Sequence, residues 1–205
     1  MKNYYFSILI PTFFFLTISR DLCGQSWVFI KEKEGIRIYT RKDTSSPVKS
    51  FKGDVFLHAQ MEKVYSLITN VKNFEWWDDD ITEIKVLLYE KDKRVQYYLI
   101  YDVSWPIADR DLVVDSRISI DPVTGVRAIE ARSLLNVIPE KPDLVRIKNY
   151  WQKWTLIPME PGVVHVILEG FVDPGGSVPA WLYNMVFTET PLKAIRSVQT
   201  HVAKM

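Results

Sequence analysis

Residues 173–184 read DPGGSVPAWLYN, and the fold follows from how this stretch is understood. Before it, Val164, Val166 and Leu168 share one parity and His165 takes the other, as a half-buried strand requires. Gly175 and Gly176 have backbone angles open to them that other residues avoid, so the chain can reverse there. Ser177 then suits a helix N-cap, and Pro179 suits the first turn, where a missing N–H costs nothing. The stretch therefore reads as a hinge that launches a helix. The apolar positions Val178, Trp181, Met185, Leu192, Ile195 and Val202 recur three or four apart, or seven across the Thr188 turn, which gives one continuous apolar face. Pro191 lies inside this helix, removes a backbone hydrogen bond and predicts a kink near Phe187.

Upstream of the hinge, period two dominates and predicts antiparallel strands. Residues 27–31 and the alternating Ile36, Ile38 and Thr40 form a hairpin across KEKEG. Phe51, Gly53, Val55 and Leu57 share a face of the next strand, and Met61, Val64, Tyr65 and Ile68 place a helix over 59–71. Strands follow at 84–89, 95–105, 112–120, 126–135, 145–156 and 163–171. The second of these is informative, because Val95, Tyr97, Leu99, Tyr101, Val103 and Trp105 all point one way. About nine antiparallel strands in one sheet must curl, since a broad open sheet twists and leaves an apolar face to cover. The C-terminal helix covers the concave face, an α+β arrangement.

The chain has 205 residues, 47% hydrophobic and 25% charged, with a formal charge of +1. This describes one globular domain with a substantial core. Near-neutral charge leaves no electrostatic footprint for nucleic acid. Lys2 followed by an apolar run from Phe6 to Ser19, broken by Pro11, predicts a secretory signal peptide rather than a membrane span. Cleavage is placed after Gly24, giving a signal over 1–24 and a mature domain over 25–205. The alternative is a lipoprotein acylated at Cys23, against which Leu22 argues, because such signals want a small residue there. Cys23 is the one cysteine in the chain, so the mature protein is expected to lack disulfides and thiolates. The expectation is an exported monomer, periplasmic or secreted.

WVFIKEKEGIRIYTRK (27–42), SPVKSFKG (46–53), WPIADRDLV (105–113) and DPGGSVPAWLYN occur in this order. Together they resemble the START (steroidogenic-acute-regulatory-related lipid-transfer) domains over nearly the whole mature chain. The resemblance implies a helix-grip fold, a U-shaped antiparallel sheet around a long C-terminal helix, enclosing a tunnel for one lipid or sterol. It also marks a departure. Some sterol-binding members carry an interior arginine six residues after the RD arginine, paired with an acid on the preceding strand. Those positions here are Ser116 and the neighbourhood of Tyr97, which implies a hydroxyl-lined interior in place of a charge pair.

Strand parity turns Tyr97, Tyr101, Arg110, Leu112, Val114 and Ser116 inward. With Trp105 in the loop 104–109 and Trp181, Met185 and Leu192 on the helix, they are the candidate residues for tunnel lining and mouth. Gly175, Gly176 and Pro191 are the candidate hinges. Arg110 admits two readings: it ties a loop to the sheet, with Asp111 solvated or capping, or it stands at the mouth and grips a carboxylate or phosphate bidentately. The two tyrosines are equally readable as core aromatics with wet tips.

The supply of catalytic groups is thin. His58, His165 and His201 are far apart, no spacing suits zinc, and Asp78-Asp79-Asp80 reads as a solvated turn. No metal and no cofactor are expected. Burying a lipid of about 30 methylenes gains of order 20 kcal/mol against water, yet little against a bilayer that is already dry. Selectivity must therefore come from a few polar groups. The expected function is non-covalent carriage of a lipid, a sterol-like compound or another hydrophobic molecule, with transient membrane contact. The alternative is a helix-grip cyclase or hydrolase using Tyr97, Tyr101 and Arg110 as acid and anchor.

Overall fold

The computed structural model describes residues 26–43, 45–71, 80–103 and 107–205. The signal segment with Cys23, the acidic residues 78–79 and Trp105 lie outside the described residues.

The first hairpin joins β1 (Val28–Lys33) to β2 (Ile36–Arg41). Its turn places both Glu34 and Gly35 at positive φ, the geometry of a two-residue hairpin loop. β3 (Ser50–His58) follows, then α1 (Met61–Thr69), β4 (Ile81–Glu90), β5 (Arg94–Tyr101), β6 (Arg110–Ile120) and β7 (Arg127–Ser133). The chain continues through β8 (Val145–Arg146), β9 (Tyr150–Glu160) and β10 (Val163–Val172) to α2 (Ala180–Val186) and α3 (Glu189–Val202). Nine strands lie in the order β1-β2-β3-β10-β9-β7-β6-β5-β4, and the two-residue β8 pairs with β6 beside that path. All neighbours on the path are antiparallel.

The expected strand over 145–156 is two strands. Val145 and Arg146 pair in parallel with Arg110 and Asp111, and the chain then shifts across by one strand position to run as β9 beside β7. The reason is a side chain: Arg146 Nε and Nη2 donate to Asp111 Oδ1 and Oδ2 at 2.7 and 2.8 Å. Asp111 is fully buried and also accepts from Tyr98 Oη at 3.2 Å. The reading of Asp111 as solvated or capping is thereby corrected.

The expected single C-terminal helix is also two. Thr190 N bonds Phe187 O, and Pro191, in the first turn of α3, supplies no N–H. The ladder is interrupted at the predicted kink, and the two segments part at Phe187-Thr188. Ser177 is not the N-cap: Pro179 occupies that position in extended conformation, and α2 starts at Ala180. The proline biases Val178 away from helical angles, so helix cannot start before it.

α3 buries Leu192, Ile195, Val198 and Val202 against the concave face, each worth about 1.5–3 kcal/mol in apolar transfer. Gly53 makes the approach possible. A Cβ there would lie 2.7 Å from Ile195 Cδ1, closer than carbon atoms pack. One core cluster gathers β2, β3, β9, β10, α1 and α3, and a second gathers Val95, Leu99, Leu112 and Val114 around Ile147.

Candidate functional site

Between the two clusters lies a cavity of about 120 Å³, bounded by the concave sheet, the end of α1 and α3. Antiparallel register builds its wall. Val95 faces Ser116, Tyr97 faces Val114, and Leu99 faces Leu112 across β5 and β6, so inward rows of both strands meet. Tyr97, Tyr101, Leu112 and Ser116 reach the wall, as parity places them. Val114 and Leu192 are packed in the core beside it.

Two candidates face the other way. Trp181 and Met185 are 66% and 68% exposed, and no residue of α2 is buried. Their assignment to the tunnel lining is corrected: once the helix breaks, α2 and α3 no longer share a face. The helix lines the cavity instead through Thr190 and Ala194 of α3, small residues that an apolar stripe does not include. Tyr150, Gln152 and Trp154 of β9 complete the wall.

Every described lining residue is uncharged. Tyr150 Oη donates to Gln152 Oε1 at 2.8 Å. Burial pushes the phenols of Tyr97 and Tyr150 up, and Tyr150 also responds to the phenols of Tyr97 and Tyr101. Tyr97, Tyr101, Tyr150 and Gln152 thus form an uncharged polar belt inside an apolar wall.

Arg110 is not on that wall. It is buried, with Nε donating to Pro174 O at 3.3 Å and Nη1 donating to Ala108 O. Burial pushes its pKa down, opposed by Asp109. The guanidinium thus bridges the loop that ends at Asp109 and the turn at Gly175-Gly176. Both glycines adopt φ +63, a left-handed region that favours glycine, and Asp173 Oδ1 accepts from Gly175 N at 3.0 Å.

α2 is held by other means. Asn184 Oδ1 accepts from Lys49 N at 3.0 Å, and Asn184 Nδ2 donates to Pro47 O at 2.9 Å. Tyr183 stacks on Phe187, whose ring is buried 6.4 Å from that of Phe51 on the cavity wall. The histidines lie elsewhere. His165 points outward as expected, though it is bound to Asp54 Oδ2 at 2.9 Å and stacked on Phe56 rather than freely solvated.

A family model described as the START domain matches residues 20–204. Phosphatidylcholine transfer protein of Mus musculus is 28% identical over 173 residues, covering 80% of this chain and 77% of its own. An uncharacterised protein of Pseudomonas aeruginosa is 26% identical over 189 residues, 91% and 92% of the two chains. The crystal structure of a STAR-related lipid transfer protein from Xanthomonas axonopodis superposes with a TM-score of 0.78 at 28% identity, covering 86% of this chain and 98% of that one.

Proposed function

Because this chain belongs to the START domain family, we propose that it binds one hydrophobic molecule non-covalently in its interior cavity and carries it between membranes. The observation that carries this reading is the cavity itself, an apolar space with an uncharged polar belt, enclosed between the sheet, the end of α1 and α3. The likeness to phosphatidylcholine transfer protein supports carriage over chemistry. A carrier returns its cargo unchanged, whereas the cyclase or hydrolase alternative converts it.

A cavity of about 120 Å³ is smaller than the roughly 300–1,000 Å³ of pockets for drug-sized ligands. In this conformation the space is too small for such a molecule, so loading requires a wall to move. α2 is the element we assign to that movement: it lies between the Gly175-Gly176 turn and the break at Phe187, buries none of its residues, and is joined to the cavity wall through Phe187 against Phe51. Its exposed Trp181, Leu182, Met185 and Val186 are an apolar group suited to transient insertion at a membrane interface. The protein acts as a monomer after export, with a signal over 1–24 and a soluble N-terminus at Gln25.

Two measurements test this. Mass spectrometry of the protein purified from its own cells identifies a co-purifying hydrophobic molecule, and vesicle-to-vesicle transfer of that molecule without chemical change follows. Turnover of the molecule, or a protein that never carries one, overturns the carrier reading. Intact mass of the exported chain tests the N-terminus, and an acylated Cys23 would replace the soluble assignment with an anchored one.

A further inference from the structure

We propose that the cavity selects a molecule whose polar end is uncharged and forms hydrogen bonds, such as an alcohol or ester, and that it rejects phosphate-bearing and carboxylate-bearing lipids. This rests on the carrier reading and narrows it. The wall presents Tyr97, Tyr101, Tyr150, Gln152, Ser116 and Thr190 among apolar residues. Each is a neutral donor and acceptor. Gln152 accepts a hydrogen bond from the Tyr150 hydroxyl on its carbonyl oxygen, and its amide group carries N–H donors as well. An alcohol can give and receive hydrogen bonds in such a belt, so its desolvation is matched.

A phosphate cannot be matched in the same way. An ion taken out of water needs a counter-charge or a full set of donors, and among the described residues the wall itself carries no cation, while the two arginines nearest it on β6 and β8 are engaged elsewhere. Arg110 points its Nε and Nη1 to Pro174 O and Ala108 O. Arg146 is closed on Asp111, on the face of β6 away from the cavity. The buried phenols of Tyr97 and Tyr150 are held up by desolvation, so the belt keeps its protons and its neutrality. A zwitterionic head group meets the same obstacle at its phosphate, although the aromatic rings of the wall could face its cation.

The test is transfer between phosphatidylcholine vesicles by the purified chain, with four tracers run separately: a fluorescent sterol, a labelled diacylglycerol, labelled phosphatidylcholine and labelled phosphatidate. The sterol or the diacylglycerol should move at least about tenfold faster than either phospholipid, the ratio expected when burying an ion is the penalty. Phosphatidylcholine or phosphatidate moving as fast as the neutral tracers overturns the selectivity while leaving the carrier reading intact. If none of the four moves, the selectivity fails too, and the carrier reading is decided by the co-purifying molecule. The doubly substituted Tyr150→Phe, Gln152→Leu protein should lose about three- to tenfold in neutral-tracer binding, the worth of one net hydrogen bond. Ser116→Ala, which changes little volume, gives a second reading if that pair does not fold. Undiminished binding by folded variants of both kinds overturns the belt as the recognition element.

Discussion

Arg110 holds two loops together rather than a ligand, and this distinction can be measured. Its guanidinium donates to Pro174 O and Ala108 O, and hydrogen bonds to a charged group are worth about 1.5–3 kcal/mol each before the cost of burying the cation is subtracted. Arg110→Met should lower stability by a net of about 1–3 kcal/mol in urea unfolding and leave the preference among lipids as it was. Altered preference at unchanged stability would place the guanidinium against the ligand after all. The buried phenols give a pH prediction. Desolvation raises Tyr97 and Tyr150 above the ordinary value of 10.0. A group whose folded pKa is raised stabilises fully below the unfolded value and loses that contribution as pH rises above it. Thermal midpoints should hold at neutral pH and fall once pH passes about 10, and Tyr97→Phe should flatten the fall; an unchanged slope would mean that other groups govern it. Tyr97, Tyr101, Leu112 and Ser116 were legible because strand parity is an exact period of two. The Asp111–Arg146 pair was not, since its partners lie 35 residues apart and nothing local marks them.

The C-terminal helices show where periodicity stops being informative. A spacing of three and four tells which residues share a face while the helix is continuous, and Pro191 ends that continuity. Leu192, Ile195 and Val202 went to the core, whereas Trp181 and Met185, in phase on paper, went to solvent. The break itself was readable from the proline, but the direction of α2 after it depends on Phe187 and on Asn184, neither of which belongs to the apolar stripe. Asn184 is the latch, with one hydrogen bond to Lys49 N and one to Pro47 O. Each contributes about 0.5–1.5 kcal/mol, so Asn184→Ala should raise the open population and speed ligand exchange between vesicles by about five- to a hundredfold. The melting temperature should fall as well, by about 2–4 °C for each kcal/mol removed in a domain of this size. Exchange at the parental rate in the folded variant would place the entrance somewhere other than α2.

The sheet is one structure but its two halves are secured differently. α3 packs on β2, β3 and β10, and α1 packs on α3 and β9, so that half is clamped between helices and strands. β4, β5 and β6 form the far arm, with β4 at the edge and mostly exposed. They meet the helices across the cavity, and α1 reaches the β4–β5 turn through Tyr65 Oη and Asp92 Oδ1 at 2.7 Å. Wherever packing is thin, local opening costs less than global unfolding. Amide hydrogen exchange of the stripped protein should therefore be faster in β4 and β5 than in β3 and β10, which are sheltered by α3. Cargo fills the space between the arms and touches both, so it should slow exchange most in β5 and β6, the strands that supply Tyr97, Tyr101, Leu112 and Ser116. Global stability should rise with it, by about 2.7 kcal/mol when free cargo stands a hundredfold above its dissociation constant. Comparing the protein loaded with its co-purifying molecule and the same protein stripped of it makes the measurement direct. Protection confined to α2, with β5 and β6 unmoved, would mean that the molecule rests under the hinged helix on the surface and never enters between the arms.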